Sequence, residues 1–163
     1  MKRAPAVQSK DESPAGRGQI YLSIFQNASI GIVLMDVDER IIECNPAFAS
    51  MLGYTVEASI GMTLKQVTHP DEYADESRRF NQALRTARKG YRVQKEKRFV
   101  HKDGRVIWGR ITITIIFGNS GEPVFVLGMV EDISERKKLA DDYQALNRQF
   151  EFILGVTRTG LAI

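Results

Sequence analysis

Apolar residues Ile20, Ile24 and Phe25 recur at helical spacing and stop before Asn27, which predicts a short amphipathic helix over residues 20–27. Two short apolar runs follow, at Gly31–Met35 and Ile41–Cys44, on either side of the turn-prone residues 36–40. They read as an antiparallel hairpin. Asn45 and Pro46 then make a helix start, because Asn can accept from orphan amide groups and Pro is pre-set for the first helical position. That helix is expected to end at Leu52, with Gly53 as its stop. Short helical pieces over 55–67 lead to His69, Pro70 and Asp71, the start of a longer helix over 71–88 with Tyr73, Phe80 and Leu84 as its apolar positions. Beyond Gly90 the period changes from that of a helix to that of a strand. Residues 91–100, 106–117 and 124–130 read as three strands in meander order, turned at Asp103-Gly104 and at Gly118–Gly121. In the middle strand Ile111, Ile113, Ile115 and Phe117 alternate with Thr112 and Thr114, which marks one buried face.

Two strands, a helical middle and three strands predict an α+β domain: a five-stranded antiparallel sheet with helices packed over one face, flanked by an N-terminal amphipathic helix and a C-terminal linker helix. Residues 1–18 mix Lys, Asp, Ser, Pro and Gly without periodicity and read as a flexible tail, leaving 19–133 as the domain. Its length suits one core. A composition of 43% hydrophobic and 26% charged residues is that of a folded globular protein. No apolar run reaches the length of a membrane span and no secretory apolar stretch follows the basic start, so a cytoplasmic location is expected. Cys44 is the single cysteine, which excludes an intrachain disulfide and a thiolate metal cluster.

Several segments together resemble the PAS family of sensory domains. They are Ile24-Phe25-Gln26-Asn27 leading to Gly31, then Asn45-Pro46-Ala47-Phe48, Leu52-Gly53-Tyr54, His69-Pro70-Asp71, His101-Lys102-Asp103-Gly104, Trp108, and Asp132-Ile133-Ser134-Glu135-Arg136. The last is similar to the PAC motif, with Ser134 where the family usually has Thr. The resemblance implies a sensory and dimerisation module of a bacterial-type signal-transduction protein. A two-component sensor histidine kinase is the expected parent, with a ligand-free dimerisation scaffold or the input domain of a cyclic-dinucleotide enzyme as the alternatives. It also implies a small-molecule core, with Phe48, Leu52, Tyr54, Leu64, Phe80, Ile113 and Leu127 as candidate lining, and a relay through Asp132, Ile133, Ser134 and Glu135.

The relay residues carry physical support of their own. Asp132 and Glu135 have capping-box spacing, so the last strand should feed directly into a helix over 134–152. Along it Leu139, Tyr143, Leu146, Phe150 and Ile153 form a two-heptad apolar seam, which points to a coiled-coil homodimer. Setting Gly160 against Gly31 aligns Phe150 with Tyr21 and Ile153 with Ile24, and so residues 150–163 read as the start of a second, truncated PAS domain with an output domain beyond it.

Catalytic and cofactor chemistry find little footing. His69, His101 and Cys44 have no local pattern that would make one activate another, and they read as structural. Haem is disfavoured because helix 71–88 has no His, and a flavin photoadduct because residues 55–67 have no Cys. Noncovalent flavin or another small molecule stays open. Twelve of the 23 Lys and Arg residues fall between Arg78 and Arg110. Without stacking aromatics or a helix-turn-helix they read as a solvated face, and nucleic acid ranks last among partners.

Overall fold

The computed structural model describes residues 14–159, with side chains through residue 155. Helix α1 (Pro14–Asn27) leads to the hairpin β1 (Gly31–Met35) and β2 (Ile41–Cys44). Helices α2 (Pro46–Met51), α3 (Val56–Ser59), α4 (Leu64–Val67) and α5 (Pro70–Thr86) cross one face of the sheet, and β3 (Arg92–Val100), β4 (Val106–Phe117) and β5 (Pro123–Asp132) return as a meander. Helix α6 (Ser134–Thr159) follows β5 after a single intervening residue, Ile133. The sheet has five antiparallel strands in the order β2-β1-β5-β4-β3, so the helical segment carries the chain from one edge to the other.

The capping signal at Asn45 becomes a structural knot. Asn45 is fully buried, and its side-chain oxygen accepts from Phe48 N at 3.0 Å, as expected of a cap, and from Ile32 N at 2.8 Å. Its amide donates to the carbonyls of Ile30 at 2.9 Å and Phe25 at 3.1 Å. Every polar atom is satisfied, which is what permits an Asn in the core. Gly53 ends α2 at φ +79°, and the space a side chain would need is filled by the His101 ring. Only glycine meets both conditions.

The core lies between the sheet and the helices. Val33, Met35, Ile41, Phe48, Leu52, Phe99, Ile111, Ile115 and Val130 are all buried there, with Cys44 among them. Burial pushes the Cys44 thiol above its ordinary range, which suits a packed rather than a reactive residue.

Two boundaries differ from the sequence reading. Helix α1 begins at Pro14, where a flexible tail through residue 18 was expected; Pro is accommodated at a first turn, where its missing N–H has no helical partner to lose. Residues 1–13 lie outside the described part. Helix α6 continues to Thr159, beyond the expected end at 152, so residues 150–159 belong to the same helix. The remainder of the suggested second domain, residues 160–163, lies outside the described residues.

Candidate functional site

Alternation along β3, β4 and β5 decides what faces the helices. On β3 the inward residues are Val93, Lys95, Lys97 and Phe99, paired in register with Ile113, Ile111, Gly109 and Ile107 of β4. Ile113 and Ile115 pair in turn with Gly128 and Val126 of β5. Helix α5 arches over these strands without burying a single residue completely. Between helix and sheet lies a cavity of about 300 Å³, lined on its apolar side by Val33, Met35, Leu64, Phe80, Ile111, Ile113, Ile115 and Val126. Its polar side is formed by Glu76, Arg79, Lys95 and Lys97, with Gln82 and Thr86.

Polar contacts fasten α5 alongside the packing of Tyr73, Phe80, Ala83 and Leu84 against the core. Glu39, in the β1–β2 turn, accepts from Ser77 Oγ at 2.5 Å and Tyr73 Oη at 3.2 Å. Burial works against the charge of Glu72, but its bonds from the Arg98 backbone at 3.0 Å and guanidinium at 2.6 Å prevail and hold its carboxyl below the usual range. Glu76 receives Lys95 Nζ at 2.6 Å on both oxygens, while Lys97 Nζ stands 3.5 Å away.

Lys97 is the outlying chemical feature. It is 3% exposed, it donates to Thr68 Oγ1 at 2.9 Å, and its ammonium sits 4.6 Å from the centre of the Phe99 ring. Burial lowers its pKa from 10.5 to about 8, the attraction of Glu76 recovering only part of the loss. Sequence reasoning missed this residue by counting it in a solvated basic run. The available signal was its parity with Phe99 on a strand that has one face toward the core. The rest of that run is dispersed: Arg79 pairs with Asp75, Arg98 with Glu72, and Arg110 with Glu96 and Glu131.

Of the candidate lining residues, Leu64, Phe80 and Ile113 face the cavity. Phe48 and Leu52 do not, because α2 packs them solidly into the core next to β1, and Tyr54 lies at the edge of the same cluster. Leu127 is on the opposite side of the sheet, since Val126 and Gly128 take the inward positions and successive strand residues alternate. Trp108 is likewise on the outer face, between the cations of Arg98 and Lys137, and is not a core residue. His69 caps α5 by accepting from Asp71 N, and His101 pairs with Asp103 in the β3–β4 turn; neither lines the cavity.

The relay segment is anchored to β4 as well as β5. Trp108 N donates to Ser134 Oγ at 2.9 Å, and Ile133, buried at 2% exposure, donates from its backbone to Trp108 O at 2.8 Å. Asp132 accepts from Ser134 N at 2.9 Å, two residues on, in place of the expected bond across capping-box spacing to Glu135; the helix begins one residue too late for that box. A second tie joins β3 to α6. Lys137 Nζ lies 2.6 Å from Glu96, and this contact holds the Glu96 carboxyl below its ordinary range.

Past its first turns α6 leaves the domain surface. Leu139, Tyr143, Leu146 and Phe150 are 60% to 66% exposed and Ile153 is 53% exposed, so the seam does not fold back on its own sheet. The apolar residues of α1 are likewise uncovered within one chain: Ile20, Tyr21, Leu22 and Ile24 are each more than half exposed. Among the described residues no helix is long and apolar enough to cross a membrane, and no group of His, Cys, Asp and Glu side chains could hold a metal ion.

Comparison with known proteins agrees with this architecture. A family model described as the PAS fold matches residues 19–133. The chain is 28% identical over 129 residues to the sensor histidine kinase TmoS of Ectopseudomonas mendocina, covering 79% of this chain and 13% of that protein. It is 26% identical over 126 residues to the probable diguanylate cyclase DgcE of Escherichia coli strain K12, covering 77% of this chain and 11% of that protein. The crystal structure of the PAS domain of a protein from Colwellia psychrerythraea superposes with a TM-score of 0.66 at 24% identity, covering 73% of this chain and 98% of that one. With its strand order, its helical crossover and a family match over most of its length, the chain belongs to the PAS fold family and is homologous to sensory domains of a histidine kinase and a diguanylate cyclase.

Proposed function

We propose that this chain is the cytoplasmic input module of a larger signalling protein, in which a small molecule held between α5 and the sheet changes the setting of α6. The parent fits a sensor histidine kinase best, with a diguanylate cyclase as the alternative, since the chain matches a domain of each. One observation carries the reading: the strands that line the cavity, β4 and β5, are the strands that hold the first turn of α6, through Trp108, Ile133 and Ser134. A ligand that shifts β4 therefore acts on the helix root directly. To swing a two-state module from 1:99 to 99:1 it must favour one state by about 5.5 kcal/mol.

The exposed seam from Leu139 to Ile153 supports a parallel homodimer through α6, which carries the shift out of the domain. The sequence likeness between residues 150–163 and the start of this domain supports a second PAS domain as the next element in the chain. Native mass spectrometry of the purified chain tests the two main parts in one spectrum. A dimer carrying one small molecule per subunit is expected. A dimer that never acquires a ligand would leave a dimerisation scaffold in its place, and a monomer would remove the coiled-coil seam.

A further inference from the structure

The polar corner of the cavity holds one more positive charge than negative. Lys95 Nζ occupies both oxygens of Glu76 at 2.6 Å, so Lys97 shares a counter-ion already taken, at 3.5 Å. An ammonium has three donors, of which Lys97 places one on Thr68 Oγ1 at 2.9 Å. The remaining charges near it are accounted for. Arg79 of α5 has its guanidinium on Asp75 at 2.6 Å, and Glu72 of the same helix is held by Arg98. Helix α4 contributes Leu64, while β1, β4 and β5 contribute apolar side chains and Gly128. A cation entering this corner would meet like charge, and a hydrocarbon would leave Lys97 as it stands. A single anionic group would bring the local charge to neutrality and give Lys97, which reaches Glu76 only at 3.5 Å, a closer partner in a charge-assisted hydrogen bond.

Resting on the ligand-sensing reading above, we propose that the cavity takes a small organic acid: one carboxylate set on Lys97, with an aromatic or branched aliphatic body against Val33, Leu64, Phe80, Ile111 and Val126. The volume, about 300 Å³, is at the small end for ligand sites and suits one ring with a short acid arm. The position of Lys97 also links the carboxylate to the relay. Lys97 is opposite Gly109 in register, and the Phe99 ring beneath its ammonium fills the space above Gly109, next to the Trp108 peptide that bonds Ser134. A carboxylate that draws the ammonium off that ring moves the neighbour of the helix root.

Calorimetric titration of the full chain with phenylacetate, phenylacetamide and ethylbenzene tests this. Phenylacetate is expected to bind at least tenfold more tightly than its amide, with Lys97→Met and Lys97→Gln erasing the difference. Because the carboxylate binds the charged lysine, affinity for phenylacetate should fall about tenfold per pH unit above about 8, and that for ethylbenzene should not. If amide and hydrocarbon bind as well as the acid and the Lys97 variants change nothing, the acid class is overturned while the cavity stands as a ligand site. If none of the three probes binds, both this inference and the ligand-sensing reading fall.

Discussion

Replacing Lys97 by Met should make the domain more stable at neutral pH, although it removes a buried hydrogen bond and an ion pair. A drop in pKa from 10.5 to about 8 corresponds to about 3 kcal/mol of preference for the neutral form in the fold, at about 1.4 kcal/mol per unit. The sign follows from proton counts. Between pH 8 and 10.5 the unfolded chain holds a proton that the folded chain has released, so stability rises with pH across that window, and below pH 8 the whole penalty is present. Methionine has nearly the same shape and no charge, and Glu76 keeps Lys95 at 2.6 Å. Against the gain stands about 1 kcal/mol for the Thr68 hydroxyl that loses its donor. The expected net effect at pH 7 is about 2 kcal/mol in favour of Lys97→Met, roughly 5–10 °C in melting temperature for a domain of this size. Urea unfolding of both proteins at pH 7 and pH 10 measures it, and the difference should shrink at the higher pH. A variant less stable than the parent at pH 7, or a parent whose stability is flat across that range, would refute the reasoning. A stabilising change that abolishes acid binding is what is expected where a charge is kept in the core for function at the expense of stability.

Two further changes test the structure around the relay. Ser134→Ala leaves the part-buried Trp108 N–H without its acceptor and should cost about 1 kcal/mol in chemical unfolding, whereas Ser134→Thr keeps the hydroxyl and should restore both stability and hydrogen-exchange protection at the start of α6; equal behaviour of the two variants would discard the bond. Gly109→Ala drives a methyl group to within 2.5 Å of the Phe99 ring and 2.9 Å of Val130, so a loss of about 1–3 kcal/mol from overpacking is expected, and a neutral result would show that Phe99 can move aside freely.

Local chemistry made much of the fold legible. Asn45-Pro46 marks a helix start under any tertiary arrangement, because capping and proline geometry act within one turn, and the turn at Asp103-Gly104 and the alternation of Ile111, Ile113 and Ile115 with threonines are equally short-range. Less was legible where two distant segments meet. That Asn45 also bonds Ile32, Ile30 and Phe25, or that Ser134 accepts from Trp108, depends on pairings across 13 to 26 residues.

The sequence by itself determined the element types, the strand count, the linker helix and the family, since each rests on periodicity, caps or motif order along the chain. Tertiary structure alone decided the site. Leu127 faces away from the cavity and Lys97 into it because strand register assigns alternate residues to opposite faces, and composition does not reveal which parity is inward. The charge balance at Lys97 follows from α5 bringing Glu76 over β3, where Lys95 claims it first. A contact between a helix and a strand some twenty residues apart is written in no local pattern, only in the way the helix lies across the sheet.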